Sequence, residues 1–167
     1  MLDKMERALS DLQDPDVSFS EIRNEVRNST RIYVTNASLR DFSRRGKAGT
    51  VARVLVGECW GQATSTNEVT GDLLKDLLEK AARMAKHNAS HSRKKIDLSE
   101  VKPIQKQVFQ KMKEDPETVS DEEKAKVVFE IDKAQEIDER VVNTNSVYQD
   151  TKKHTLLANS QGTRLEW

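Results

Sequence analysis

The sequence predicts an α+β fold, a mostly antiparallel sheet of about six to eight strands with helices packed on one of its faces. Three observations carry that expectation. Apolar residues recur at helical spacing in separate stretches near the start and in the middle of the chain. They recur at two-residue spacing in two other regions. The strand-like segments follow one another through short polar turns instead of alternating with helices, which favours hairpins over parallel crossovers.

Leu2, Met5, Leu9 and Leu12 line one side of a first helix, which Asp14 and Pro15 end. Over 20–65 the period is two: Ile22, Asn24 and Val26, then Ile32 and Val34, alternate with Arg23, Glu25, Arg27, Arg31, Tyr33 and Thr35. Asn28 and Ser29 read as a turn between the first two strands, and the polar run 43–49 as the link between a third and a fourth. Gly57 and Glu58 separate 50–56 from 59–65, and glycine at the first of two loop positions predicts a type II′ hairpin. Leu73, Leu74, Leu77, Leu78, Ala81, Ala82 and Ala85 give a second helix, capped by Thr70 or Asn67, with Asp72 in its first turn.

Residues 88–117 carry little regular pattern and read as a flexible connector, although Ile104, Val108, Phe109 and Met112 permit a short helix. Ser120 and Glu123 form an S-x-x-E capping box, and Val127, Val128, Ile131 and Ala134 supply the stripe that the following helix should bury. Strands return over 141–148, 154–158 and 163–167, joined by turns at 149–152 and 159–162, so that the last residue falls inside a strand.

At 167 residues the chain fits a single domain, 1–167. Its residues are 35% hydrophobic and 34% charged, against about 45 to 50% (glycine included) and about 25% in ordinary domains, so the core must be thin. Lys plus Arg and Asp plus Glu both number 28, which removes any global attraction to nucleic acid or to an anionic membrane. Charge is local instead: a basic segment over 75–113 and an acidic one over 114–139 can neutralise one another. A single cysteine, Cys59, rules out an internal disulfide framework and points to a reducing, cytoplasmic setting. No apolar run approaches the ~18 residues of a membrane span, and the charged start of the chain is not a signal-peptide core. A soluble, cytoplasmic protein is expected.

His87 and His91 share a helix side, but Asn88, Ala89 and Ser90 lie between them where a hydrolytic metal site needs a glutamate, and His154 is distant. A solvated helix end is the better reading. Cys59 has no neighbouring base, since Glu58 carries the wrong charge and Trp60 is apolar, so it reads as a small hydrophobe in a strand. Gly46 and Gly49 among Arg44, Arg45 and Lys47 are too sparse for a phosphate loop and form a basic loop. Arg93, Lys94 and Lys95, with Lys102 and Lys106 beyond, have the charge to touch phosphates, which makes a basic nucleic-acid-binding or regulatory module the alternative function. Only 5% of residues are aromatic and none interrupts that run to stack on bases, which disfavours nucleic acid. No catalytic and no metal-ligating residue is assigned in this chain.

One resemblance is specific. Arg53, Val54, Leu55, Val56 and Gly57, then Cys59, Trp60 and Gly61, then Ala63, Thr64 and Ser65 are similar to the "RVLV-G-WG-AST" segment in the amino-terminal domain of the TldD/PmbA family, the so-called modulators of DNA gyrase. Asp115, Pro116, Val119, Ser120, Glu122, Glu123, Lys124, Asp132, Lys133, Arg140, Val141 and Val142 continue the resemblance, as does the strand ending Leu157, Ala158, Asn159, Ser160 and Gly162. Ser20, Glu21, Ile22 and Arg23 resemble the family's early "ADVR-like" strand, so nearly the whole chain is covered. Gln62 departs from the pattern, where the family usually has an aromatic, and the stretch between Asn88 and Pro103 matches nothing in it.

The resemblance implies an amino-terminal domain of a zinc metallopeptidase, inactive alone because it lacks the HExxxH motif. It implies that zinc and its ligands belong to a second domain beyond Trp167, and that two subunits, as homo- or heterodimer, pair around a cavity that admits peptides or unfolded proteins. The zinc-less PmbA/TldE branch of the family acts as a partner of TldD subunits, and nothing before Trp167 assigns the branch. Within this domain the resemblance singles out Arg53, Val54, Leu55, Trp60, Gly61, Ala63, Ser65, Asn159, Ser160 and Gly162 as structural residues. Trp60→Ala should cost about 3 to 5 kcal/mol if the indole lies in the core; a smaller loss would mark a surface or interface.

Overall fold

The structure, a computed structural model, describes residues 1–90, 96, 98 and 102–167. In chain order these form α1 (Leu2–Ser10), β1 (Val17–Thr35), β2 (Ser38–Val56), β3 (Cys59–Ser65), α2 (Gly71–Ala89), β4 (Gln105–Gln107), α3 (Asp121–Ala134), β5 (Asn145–Asn159) and β6 (Arg164–Glu166). The strands make one six-stranded sheet in the order β3-β2-β1-β5-β6-β4. β2 with β3 and β5 with β6 are antiparallel, whereas β4 runs parallel to β6. The α+β class is as expected.

The strands are fewer and longer than the pattern suggests, because the turns expected at 28–29, 43–49 and 149–152 do not form. Asn28 and Asp150 have the side chains of turn formers, yet both are engaged elsewhere: Asn28 Nδ2 donates to Glu117 Oε1, and Asp150 Oδ1 accepts from the Thr30 amide. Their competition with the strand backbone is thereby removed. The β1–β2 reversal falls at Asn36 and Ala37, with φ of 48° and 53°. At the predicted β2–β3 hairpin, Gly57 and Glu58 have φ of 52° and 64°, so the turn has type I′ character in place of II′. Positive φ at both central positions suits the twist of the flanking strands. The short helix allowed over 104–112 is absent as well. Backbone bonds from Arg164 N to Ile104 O and from Val108 N to Glu166 O hold that stretch extended, with Ile104, Val108, Phe109 and Met112 exposed.

The chain divides into two compact units, one comprising 1–26, 48–109 and 154–167, the other 27–47 and 110–153. In the first, Leu2, Met5 and Leu9 of α1 meet Leu74, Leu77, Leu78, Ala81, Ala82 and Ala85 of α2, over Ile22, Ala52, Val54, Val56, Leu156 and Ala158 of the sheet. Thr70 caps α2, its Oγ1 accepting from the Leu73 amide at 3.1 Å.

In the second unit the apolar cluster is small: Ile32, Val34 and Val128, flanked by Ala125, Phe129 and Tyr148. The capping box forms as predicted, Ser120 Oγ accepting from the Glu123 amide at 3.1 Å. The buried stripe does not. α3 buries Lys124, Val128 and Asp132, while Val127 and Ile131 are 47% and 54% exposed and Ala134 is exposed too. Spacing of four places Lys124, Val128 and Asp132 on one face, and that face is turned inward because Asp150 and the β1–β2 turn offer partners for its charges.

Candidate functional site

The residues singled out by the resemblance all lie in the first unit, and each has an identifiable duty. Val54 is fully buried in the core, Ala63 is packed against it, and Leu55 is buried. Gly61 sits where β3 passes closest to α2: a methyl group there would overlap the Ala81 carbonyl oxygen and the Ala85 amide nitrogen. Trp60 is half-buried; its ring meets Phe19 edge-on at 5.8 Å and lies under the Arg53 guanidinium at 4.9 Å, while Arg53 Nε donates to Glu21 Oε1 at 2.6 Å. Ser65 Oγ accepts from the Asn67 amide where β3 ends. Asn159 Oδ1 accepts from the amides of Gln161 and Thr163, Gly162 takes φ of 92°, and Ser160 exchanges two bonds with the backbone of Ser20. The second signature therefore fastens the β5–β6 turn to β1. Gln62, opposite Arg53, is exposed.

The second unit holds the chemistry that the sequence reading missed. Lys124, 3% exposed, places its ammonium 2.9 Å from Asp150 Oδ2, which also accepts from the Tyr148 hydroxyl at 2.7 Å. Burial alone would raise the Asp150 carboxyl, but the Lys124 contact, the Tyr148 hydroxyl and the Thr30 amide hold it below the ordinary range. Burial, with the neighbouring carboxylate, pushes the Tyr148 phenol up to about 12. Near the β1–β2 turn, the fully buried Asp132 accepts through Oδ2 from the Ala37 amide at 2.7 Å and from Thr144 Oγ1 at 2.9 Å. There too desolvation is outweighed, by the Ala37 amide and the hydroxyls of Thr144 and Ser146, and the carboxyl is lowered.

Beside the Lys124–Asp150 pair is a cavity of about 430 Å³, bounded also by Asn28, Ser29, Arg44, Arg45, Gly46, Glu117 and Lys152. Lys152 is held between Asp115 at 2.6 Å and Glu117 at 2.8 Å, and Arg44 pairs with Asp121 at 2.9 Å. The basic loop around Gly46 is thus one wall of a polar pocket, formed by β2 in extended conformation. A signal for it exists in the sequence: Lys124 and Asp132 flank Val128 at helical spacing on either side.

A resident metal does not fit the described residues, which contain no group of three His, Cys, Asp or Glu side chains able to hold one. His154 Nε2 lies 2.9 Å from Glu166 Oε1, and Cys59 is buried in the β2–β3 hairpin. His91 and the run Arg93 to Lys95 lie outside the described residues. Within the charged segments, Lys86 pairs with Asp14 and Asp16, and Asp115 and Glu117 pair with Lys152. Among the described residues no helix is long and apolar enough to cross a membrane.

Known proteins define the class. A family model for domain 1 of PmbA/TldA metallopeptidases matches 20–89, and one for the central domain of the same proteins matches 114–167. A metalloprotease of Methanocaldococcus jannaschii is 29% identical over 148 residues, an alignment covering 89% of this chain and 32% of that protein. The same fold occurs in a Thermotoga maritima protein described as a candidate modulator of a DNA gyrase, with a TM-score of 0.70 at 16% identity over 99% of this chain and 36% of that one. It occurs also in TldE from Thermococcus kodakarensis, with a TM-score of 0.67 at 16% identity over 98% of this chain and 36% of that one. The chain belongs to the PmbA/TldD metallopeptidase family, and it spans about a third of the length of the relatives it matches.

Proposed function

We propose that this chain is the amino-terminal, non-catalytic part of a PmbA/TldD-type metallopeptidase: it walls the cavity that admits peptides or unfolded proteins and helps two subunits pair, in the cytoplasm, while zinc-bound water held elsewhere in the polypeptide hydrolyses the substrate. The observation that carries this reading is the pairing of a family match over most of the chain with coverage of only about a third of its relatives. The outward face of α3 gives further support, since Val127 and Ile131, with Ile137 and Val142 beyond, are apolar side chains left in water.

The division of labour is tested by supplying zinc and a flexible peptide to the purified 167-residue chain. No turnover is expected from it, whereas the same chain joined to a zinc-bearing carboxy-terminal domain should cleave the peptide. Turnover by the chain alone that survives clean purification and is abolished by a chelator would reject the proposal.

A further inference from the structure

β4 forms one edge of the sheet. Its ladder with β6 follows from the register: Arg164 N donates to Ile104 O and Val108 N to Glu166 O, so Ile104, Lys106 and Val108 turn their backbone groups inward. The N–H and C=O groups of Gln105 and Gln107 therefore point outward, and none of them has a partner among the described residues. At the opposite edge, on β3, the Trp60 carbonyl is taken by Asn88 Nδ2. We infer that β4 accepts a further antiparallel strand: an extended segment of a partner protein in which an acidic residue is flanked, two positions away on either side, by apolar ones.

The free backbone groups supply the binding, and the side chains choose the occupant. Lys106 lies beside Leu165, and Leu165 beside Leu157, on the face of the sheet turned away from Leu156, Ala158 and the helices that cover them. Ile104 and Val108 share that face two residues to either side of Lys106, 49% and 48% exposed. Lys106 is itself exposed and has no carboxylate partner among the described residues. In an antiparallel pair it falls at the position without hydrogen bonds, between Gln105 and Gln107, where facing side chains stand closest. An acid there is attracted and a base repelled. The same rule disfavours a second copy of β4, which in the central register sets Lys106 against Lys106 and after a slip of two residues sets it against Ile104 or Val108. A demand for one acidic position suits a dedicated partner, whereas a cavity for unfolded proteins has to accept any sequence.

The test follows the NMR shifts and hydrogen exchange of the Gln105 and Gln107 amides in the ¹⁵N-labelled 167-residue chain, at constant ionic strength. The probe is the capped peptide Thr-Val-Thr-Glu-Thr-Val-Thr. One comparison peptide carries lysine in place of the glutamate, and another carries N-methyl groups on the two threonines beside it. Saturable shifts and slowed exchange at both amides are expected with the first peptide, and binding about fivefold weaker with the lysine peptide. The N-methylated peptide, which keeps the side chains and loses the donors, should not bind. Lys106→Glu should reverse the preference between the two charged peptides. Equal binding of those two peptides, or binding of the N-methylated one, would overturn the proposal. Slow exchange at Gln105 and Gln107 in the peptide-free chain that strengthens with concentration would also overturn it, in favour of a second copy as the occupant. The peptidase reading stands or falls separately, because no hydrolysis is measured.

Discussion

The two units solve the problem of a small core in opposite ways. In the first, sixteen buried residues among those described form one apolar cluster, and removing each large side chain among them from water contributes about 1.5 to 3 kcal/mol. In the second, three buried apolar residues share the interior with Lys124, Asp132, Asp150 and the polar groups that bond to them. Ionic interiors add little net stability, since desolvation consumes most of the Coulomb gain, but losing one partner leaves a stranded charge. The first unit should therefore be limited by shape and the second by charge.

The comparison can be sharpened by substitution. The largest effect is expected at Gly61: Gly61→Val drives a side chain into the α2 backbone at Ala81 and Ala85, which has no rotamer to yield, and should cost more than about 3 kcal/mol in urea unfolding or abolish folding. Next is Lys124→Met, nearly isosteric in its stem, which strands the Asp150 carboxylate. A loss of about 2 to 3 kcal/mol is expected, somewhat below the usual value for a broken buried pair because the cavity lets water reach the acid. A negligible change would show that the second unit is held by its few apolar contacts after all. The smallest is Trp60→Ala, about 1.5 kcal/mol, because the indole lies half-exposed between Phe19 and Arg53 instead of inside the core. A loss of about 4 kcal/mol would instead mark it as a core residue.

The same contrast explains what the sequence revealed. Where burial is apolar, periodicity is a faithful guide: the α1 and α2 stripes, the Thr70 cap, the β2–β3 hairpin and the Asn159–Gly162 turn all occur where the pattern sets them. Where burial is ionic, the same rule misleads. It assigns Val127 and Ile131 to the interior of α3 and passes over Lys124 and Asp132, because a charged residue at helical spacing reads as solvent-facing until its partner is known, and Asp150 is 26 residues further along the chain. Asn28 and Asp150 misled for a related reason, their turn-forming side chains being spent on Glu117, Lys124 and Tyr148. The family resemblance singles out residues of the first unit only, whereas the polar cavity depends on residues of β1, β2, α3 and β5 that are far apart in the sequence.

Acid titration tests the contrast most directly, because both tyrosines, Tyr33 and Tyr148, lie in the second unit and both tryptophans, Trp60 and Trp167, in the first. Asp132 and Asp150 are lowered from an ordinary value of 3.8, so their contribution is complete above that value and is lost as pH falls through their lower folded values. In the first unit, depressed carboxylates such as Asp3, paired with Arg164, sit at the surface, where water and salt screen them. Followed by NMR from neutral pH downwards past 3.8, the ring signals of Tyr33 and Tyr148 should lose their native positions before the indole signals of Trp60 and Trp167. Simultaneous loss, or earlier loss at the indoles, would contradict the claim that the second unit is held together by charge.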